Sequence, residues 1–113
     1  MKMREILWVK AAFKDFRGFP ESAQERMITA LRIAASGRKA DIAKPMKGFD
    51  AGVYEIALAQ GGGAYRAVYA VQIDDAVWVV HAFQKKSKTG IKTPKHEIDL
   101  VRERIKRLKD QLK

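Results

Sequence analysis

The sequence predicts an α+β fold in which a small antiparallel β-sheet is flanked by helices, in the order β-α-α-β-β-β-α. Apolar residues recur at helical spacing in residues 20–36 and 94–112, whereas residues 53–83 alternate with the period of two that is typical of β-strands. Short turns separate the strands of that middle segment, and such turns join antiparallel neighbours. The chain has 113 residues and is expected to form a single domain, residues 1–113.

The first elements come before this hairpin region. Residues 5–9 (EILWV) predict a short strand, and the spacing in residues 10–18 is compatible with a short helix. Pro20 begins a clearer helix, because the missing N–H of proline costs nothing in a first turn. Gly37 is a suitable C-cap, and residues 38–52 are expected to form a loop. The buried stripe of this helix is predicted to be Ala23, Met27, Ala30, Leu31 and Ala34.

Two tight turns, QGGG and the following Asp-Asp pair, define the predicted strand registers. The turns place these residues opposite each other: Ala59 and Ala64, Ile73 and Ala76, Arg66 and Phe83, and Val68 and His81. One face of the sheet is then apolar and is expected to be the core face, carrying Tyr54, Ile56, Leu58, Tyr65, Ala67, Tyr69, Val71 and Trp78.

The opposite face gathers a set of residues that we call the polar cluster: Glu55, Arg66, His81, Phe83 and Lys85. Each member also has an ordinary interpretation, such as a surface ion pair or a strand histidine with satisfied hydrogen bonds. Beside a lysine-rich segment, the combination favours a site for a phosphodiester. Arg66 and Lys85 would hold the phosphate, and Phe83 would stack on a base.

A last helix is predicted to begin at Thr93-Pro94, the N-cap and first helical position. Its apolar seam is expected to pack mostly on the chain's own sheet and consists of Ile98, Val101, Ile105, Leu108 and Leu112.

Charge points to the class of partner. The net charge is +10, and residues 84–113 carry 11 basic against 4 acidic side chains. Residues 84–95 (QKKSKTGIKTPK) contain five lysines and no acid. Such a one-sided excess favours a polyanionic, phosphate-rich partner.

Composition excludes several function classes. The chain has no cysteine and only two histidines, which argues against disulfides, thiolate zinc sites, cysteine nucleophiles and a multi-histidine metal centre. We therefore expect no metal and no cofactor. Apolar runs are too short to span a bilayer, and the charged N-terminus does not resemble a signal peptide. A cytoplasmic protein with no membrane partner is the expectation.

The segment YRAVYAVQIDDAVWVVHAFQKKSKTGIKTPKHEIDLVRERI resembles the HigB branch of the RelE/ParE toxin superfamily, the phage-derived HigB-like toxins. The blocks Tyr65-Arg66, HAFQKK and KTP carry the resemblance, and looser matches extend over the whole chain. The resemblance implies a type II toxin that cleaves mRNA, usually on the translating ribosome. It also implies a cognate antitoxin, often of the helix-turn-helix type, as a partner.

Position by position, the resemblance assigns Arg66 to the scissile phosphate and Lys85 and Lys86 to the basic residues after the last strand. Many relatives carry Glu-Leu-Arg where this chain has EIA, so that Ala57 replaces an arginine. This departure implies either that another cation substitutes or that activity is reduced.

The leading interpretation is a metal-independent endoribonuclease in which the RNA 2′-hydroxyl attacks the adjacent phosphate. Arg66 and Lys85 are the predicted charge stabilisers, His81 the acid or base, and Glu55 a second acid/base candidate. The alternatives are a ParE-like toxin that inhibits a topoisomerase and a non-catalytic RNA-binding module. Predicted RNA-binding residues are Lys47, Phe83, Lys86, Lys88 and Lys92.

Overall fold

The structure is a computed structural model that describes residues 3–85 and 92–112. Within these residues the strands form one five-stranded sheet in the order β1-β5-β4-β3-β2. The elements are β1 (Ile6–Trp8), α1 (Lys10–Arg17), α2 (Glu21–Ala35), β2 (Ala43–Pro45), β3 (Val53–Gln60), β4 (Gly63–Ile73), β5 (Ala76–Lys85) and α3 (Lys95–Gln111).

This architecture confirms the predicted α+β fold class and corrects two details. The loop prediction for residues 38–52 missed β2, a three-residue edge strand that pairs antiparallel with β3. The sheet is also mixed, because β1 pairs parallel with β5. β1 is therefore a parallel edge strand, which the turns between the central strands do not predict.

Both hairpin turns have the backbone geometry that their residues favour. Gly61 and Gly62 have φ values of 57° and 85°, and Asp74 and Asp75 have φ values of 50° and 58°. Positive φ at both central residues is the requirement of a two-residue type I′ turn, which matches the twist of the flanking strands. The predicted β3–β4 register is confirmed along the whole pair, from Val53 opposite Ala70 to Gln60 opposite Gly63.

The β4–β5 register is confirmed near the polar cluster and at the turn, where Ile73 lies opposite Ala76. It is wrong in between, because the register shifts after Val68 and shifts again between Ala70 and Ile73. Arg66 lies opposite Phe83 and Val68 opposite His81, as predicted. The register then shifts by one residue, so that Tyr69 lies opposite Val79 and Val80 becomes the extra residue of a β-bulge. A bulge reverses which face the next side chains occupy. The prediction that Trp78 lies on the same face as Tyr69 is therefore wrong.

The sheet separates two apolar layers. One layer packs α1 and α2 on the sheet and includes the predicted α2 stripe, all of which is buried. The second layer packs α3 on the other face, where Trp78 also lies. Of the predicted α3 seam, Val101, Ile105 and Leu108 are buried, whereas Leu112 is 42% exposed. The second layer contains Val53, Val68, Ala70, Ile73, Val80, Val101, Ile105 and Leu108.

Candidate functional site

The polar cluster lies on the α3 face of the sheet, beyond the apolar patch that α3 covers. β3 contributes Glu55, β4 contributes Arg66, and β5 contributes the other three residues at alternate positions. Alternate residues of a strand share a face, so the hairpin registers bring the five side chains to one region. The positions on either side of Arg66 are small: Ala57 lies directly opposite it, and Ala64 precedes it by two residues. Each of these positions carries only a methyl group, and we call the pair the alanine floor.

A largely buried ion pair fixes the arginine. The Nη1 atom of Arg66 donates to Oε1 of Glu55 at 3.0 Å, and the two side chains are 12% and 16% exposed. The other carboxylate oxygen accepts a hydrogen bond of 2.5 Å from Oγ1 of Thr93. Glu55 therefore has both oxygens engaged and orients the arginine. Among the described residues this hydrogen bond engages Nη1 alone, and an incoming phosphate would use the other N–H groups of the guanidinium, whose side chain is 12% exposed.

His81 occupies a different environment, although it lies on the same face. Its side chain is 3% exposed and both ring nitrogens are hydrogen-bonded. Arg104 donates through Nη1 to Nδ1 at 3.0 Å, so Nδ1 is the acceptor and the ring proton is on Nε2. Nε2 then donates to Oε1 of Glu97 at 2.9 Å.

Burial lowers the pKa of His81, and this effect outweighs the hydrogen bond to the Glu97 carboxylate, which raises it. The imidazole is thus neutral near pH 7, with both nitrogens occupied. This geometry favours a structural role that joins β5 to α3. The predicted acid/base role of His81 remains a prediction, and in this conformation a substrate would have to displace one of its two partners.

Phe83 and Lys85 complete the row on β5. The Phe83 ring stacks on the His81 ring, with centroids 5.0 Å apart and an interplanar angle of 23°. Phe83 and Lys85 are each 8% exposed. One face of the phenyl ring is therefore already covered, which leaves little aromatic surface for a base in this conformation. Lys85 lies opposite Ala64 and brings a second cation to the alanine floor beside Arg66.

The other predicted RNA-binding lysines are spread more widely. Lys92 is exposed and directly precedes Thr93, which contacts the polar cluster. Lys47 is exposed beside Gly48, whose carbonyl accepts a hydrogen bond of 3.1 Å from Arg102 in the middle of α3. Lys86 and Lys88 lie outside the described residues.

Sequence reasoning missed three residues that α3 and its preceding segment bring to the cluster. The sequence predicts Thr93 only as the N-cap of α3, a position that Pro94 takes in the structure, and it does not predict the contact of Thr93 with Glu55. It also does not predict the contacts of Glu97 and Arg104 with His81. A signal was present, because Glu97 and Arg104 lie seven residues apart and flank the apolar seam. A pair of opposite charges beside a buried seam indicates a polar partner on the facing sheet.

Neither a metal-ligand cluster nor a membrane-spanning helix is present among the described residues. Residues 3–85 and 92–112 contain no group of three or more His, Cys, Asp or Glu side chains that could hold a metal ion. Across the same ranges, no helix is long and apolar enough to cross a bilayer.

The chain is thus a small α+β protein with a mixed five-stranded sheet that carries Arg66 and Lys85 on one face. A solved structure of the same architecture is that of the E. coli toxin RelE, a doubly substituted mutant in the free state. It aligns with a TM-score of 0.63 and 20% sequence identity over 93% of this chain and 97% of the RelE chain. None of the curated proteins gives a significant match. The model of the phage-derived Gp49-like protein family matches residues 14–106, and the chain belongs to this family.

Proposed function

We propose that this protein is the HigB-like toxin of a type II toxin–antitoxin system and that it cleaves mRNA on the ribosome. The observation that carries the proposal is Arg66, which Glu55 holds on an alanine-floored surface beside Lys85. An oriented guanidinium with a neighbouring ammonium suits a phosphodiester whose negative charge increases during reaction. Membership of a phage-derived family and the RelE-like fold support the proposal.

The proposed reaction needs no metal. The 2′-oxygen of the RNA forms a bond to the adjacent phosphorus while the bond from phosphorus to the 5′-oxygen breaks. The products are a 2′,3′-cyclic phosphate and a 5′-hydroxyl, with the 2′-hydroxyl proton passing to a base and a proton passing to the leaving oxygen. Arg66 and Lys85 would stabilise the extra charge on the phosphorane.

The groups available for proton transfer are less well placed than the groups that would stabilise the phosphate. His81 and Glu55 are the candidate acid and base, and both are already hydrogen-bonded within the protein. We therefore expect slow cleavage of free RNA and faster cleavage when the ribosome positions the mRNA, because correct orientation replaces part of the acid/base contribution. The net charge of +10 fits a ribosomal partner. A cognate antitoxin, acting as the operon's helix-turn-helix repressor, is the other proposed partner.

The first prediction concerns Arg66. In a translating extract, the wild-type protein should produce discrete cuts within codons, detected by primer extension. Arg66→Ala should cut about 10²-fold to 10³-fold more slowly, the cost of removing one preorganised charge stabiliser. The variant should still fold, since Arg66 lies outside both apolar layers, although its melting temperature should fall because Glu55 loses its ion-pair partner.

Arg32→Ala is the matched control, because Arg32 is an exposed arginine on α2, in the opposite layer. It should cut like wild type. Full cleavage by folded Arg66→Ala would remove the arginine from the mechanism. Inhibited supercoiling without any RNA cut would support the ParE-like alternative, and RNA binding without cuts would support the non-catalytic module.

A further inference from the structure

Thr93 connects the start of α3 to the polar cluster. It directly precedes Pro94, the N-cap residue of α3, whose φ is −58°. The Pro94 carbonyl accepts hydrogen bonds from the N–H groups of Glu97 and Ile98 at 3.1 and 3.2 Å. These bonds tie the backbone beside Thr93 to the first turn of the helix. A threonine side chain is also stiff at χ1, so its hydroxyl has little freedom relative to α3.

The hydroxyl completes a three-residue connection. Oγ1 of Thr93 donates to one oxygen of Glu55, and Nη1 of Arg66 donates to the other. The carboxylate is thus held between α3 and β4, in a largely buried position where water competes weakly for its oxygens. Without the hydroxyl, one oxygen would lose its donor and the flexible Glu55 side chain could rotate. Arg66 would move with it.

We propose that Thr93 is a positioning residue for RNA cleavage, acting through Glu55 to hold the Arg66 guanidinium in its reactive orientation. The inference rests on the proposed function, because the orientation matters only if Arg66 meets a phosphate. Displacement of a catalytic group by about 1 Å can cost on the order of 10²-fold in rate. The hydroxyl therefore contributes to catalysis without touching the RNA.

Packing does not account for the position of Thr93. It is partly exposed and belongs to neither apolar layer. α3 is held on the sheet independently, by the buried residues of its seam and by the contacts of Glu97 and Arg104 with His81. Replacing the hydroxyl by a methyl group should therefore leave the helix docked and change mainly the Glu55 carboxylate.

The experiment compares Thr93→Val, which keeps the branched shape, with Thr93→Ser, which keeps the hydroxyl. Thr29→Val is the matched control, because the Thr29 hydroxyl donates to the Glu25 carbonyl within α2, in the opposite layer. For cleavage on programmed ribosomes, Thr93→Val should lower kcat by about 10-fold to 100-fold with KM within about twofold. Thr93→Ser should retain most of the rate, and Thr29→Val should match wild type.

The ¹⁵N resonance of the Arg66 side chain gives a readout that does not depend on activity. It should shift or broaden in Thr93→Val and stay near its wild-type position in Thr93→Ser. A wild-type kcat in Thr93→Val, or an equal loss in Thr93→Ser, would overturn the inference. If the wild-type protein cleaves nothing, the proposed function fails, and an unchanged Arg66 resonance in Thr93→Val would then separately refute the connection through Glu55.

Discussion

Arg66 and His81 are two basic side chains of the polar cluster. They lie on the same face of the sheet but in different electrostatic environments. The Glu55 carboxylate forms an ion pair with the Arg66 guanidinium, with 3.0 Å between Nη1 and Oε1. His81 is almost fully buried, and burial lowers its pKa. Strand parity therefore predicts that Arg66 and His81 share a face of the sheet. The burial of His81 under α3, which lowers its pKa, is not predicted by strand parity.

The second prediction concerns the pH dependence of stability. Burial, opposed by Glu97 and Asp15 and reinforced by Arg104, lowers the pKa of His81 in the folded chain. The unfolded chain, with a histidine pKa near 6.5, then binds the proton first. The His81 contribution to stability is thus complete above about pH 6.5 and is lost as the pH falls towards the lower folded value.

Urea unfolding at about pH 7.5, 6.5 and 5.5 measures this effect. The free energy of unfolding of the wild-type protein should fall over this range more steeply than that of His81→Gln. His96→Gln is the control, since the His96 side chain is 79% exposed, and it should follow wild type. Equal slopes for wild type and His81→Gln would show that His81 is not the titrating group.

At the scale of elements, the bulge in β5 determines how the sheet divides its side chains between two layers. It makes Val80 an extra residue, and Nη1 of Arg104 donates to the Val80 carbonyl at 3.0 Å. The bulge also transfers Trp78 to the α3 side of the sheet. α3 is therefore joined to this strand by both the Arg104 hydrogen bond and the apolar layer.

The third prediction tests this layer assignment. Trp78→Ala should destabilise the protein by about 3 kcal/mol, in the range for truncating a large packed aromatic side chain. Its effect should be non-additive with that of Ile105→Ala, because both residues belong to the α3 layer. It should be additive with Met27→Ala, because Met27 lies in the opposite layer. The double variants are measured by urea unfolding. Non-additivity with Met27→Ala and additivity with Ile105→Ala would show that Trp78 packs in the α2 layer.

How far the sequence predicts these elements depends on the range of the interactions. The turn at Gly61 and Gly62 sets the β3–β4 register locally, so that register was predictable. Nothing in the uniformly apolar run around Val80 marks a bulge, because the bulge is stabilised by Arg104 from a distant helix. β2 is three residues long and ends in Pro45, which is too short for a period of two to be recognisable.

The polar cluster shows the same division. The strand parity of Glu55 and Arg66 is enough to predict that the two side chains lie together. The partners that fix them, such as Thr93, come from packing α3 across the sheet, and no local pattern specifies that geometry. Sequence reasoning therefore finds the residues that a strand presents more readily than the residues that a distant element brings to them.

At the scale of the whole molecule, positive charge is concentrated in the C-terminal part of the sequence. Residues 84–113 carry 11 of the 23 basic side chains. Four exposed cations of α3 occupy one side of the helix, since a residue advances by about 100° and the four span an arc of about 60°. They extend over roughly 21 Å from the start of α3 beside the polar cluster. The four are Lys95, Arg102, Lys106 and Lys109.

The last prediction is that this stripe, rather than the overall charge, provides RNA contacts. The variant with Lys95, Lys106 and Lys109 all changed to Gln should flatten the log–log salt dependence of RNA binding by roughly two units, at about 0.7 per phosphate contact on single-stranded RNA. The control changes three exposed cations of α1 to Gln, at the same loss of net charge, and should keep the wild-type slope. The control residues are Lys10, Lys14 and Arg17. If the α3 stripe contacts RNA, the α3 variant must lower the salt slope more than the α1 variant does. An equal decrease in both variants would show that net charge alone governs binding.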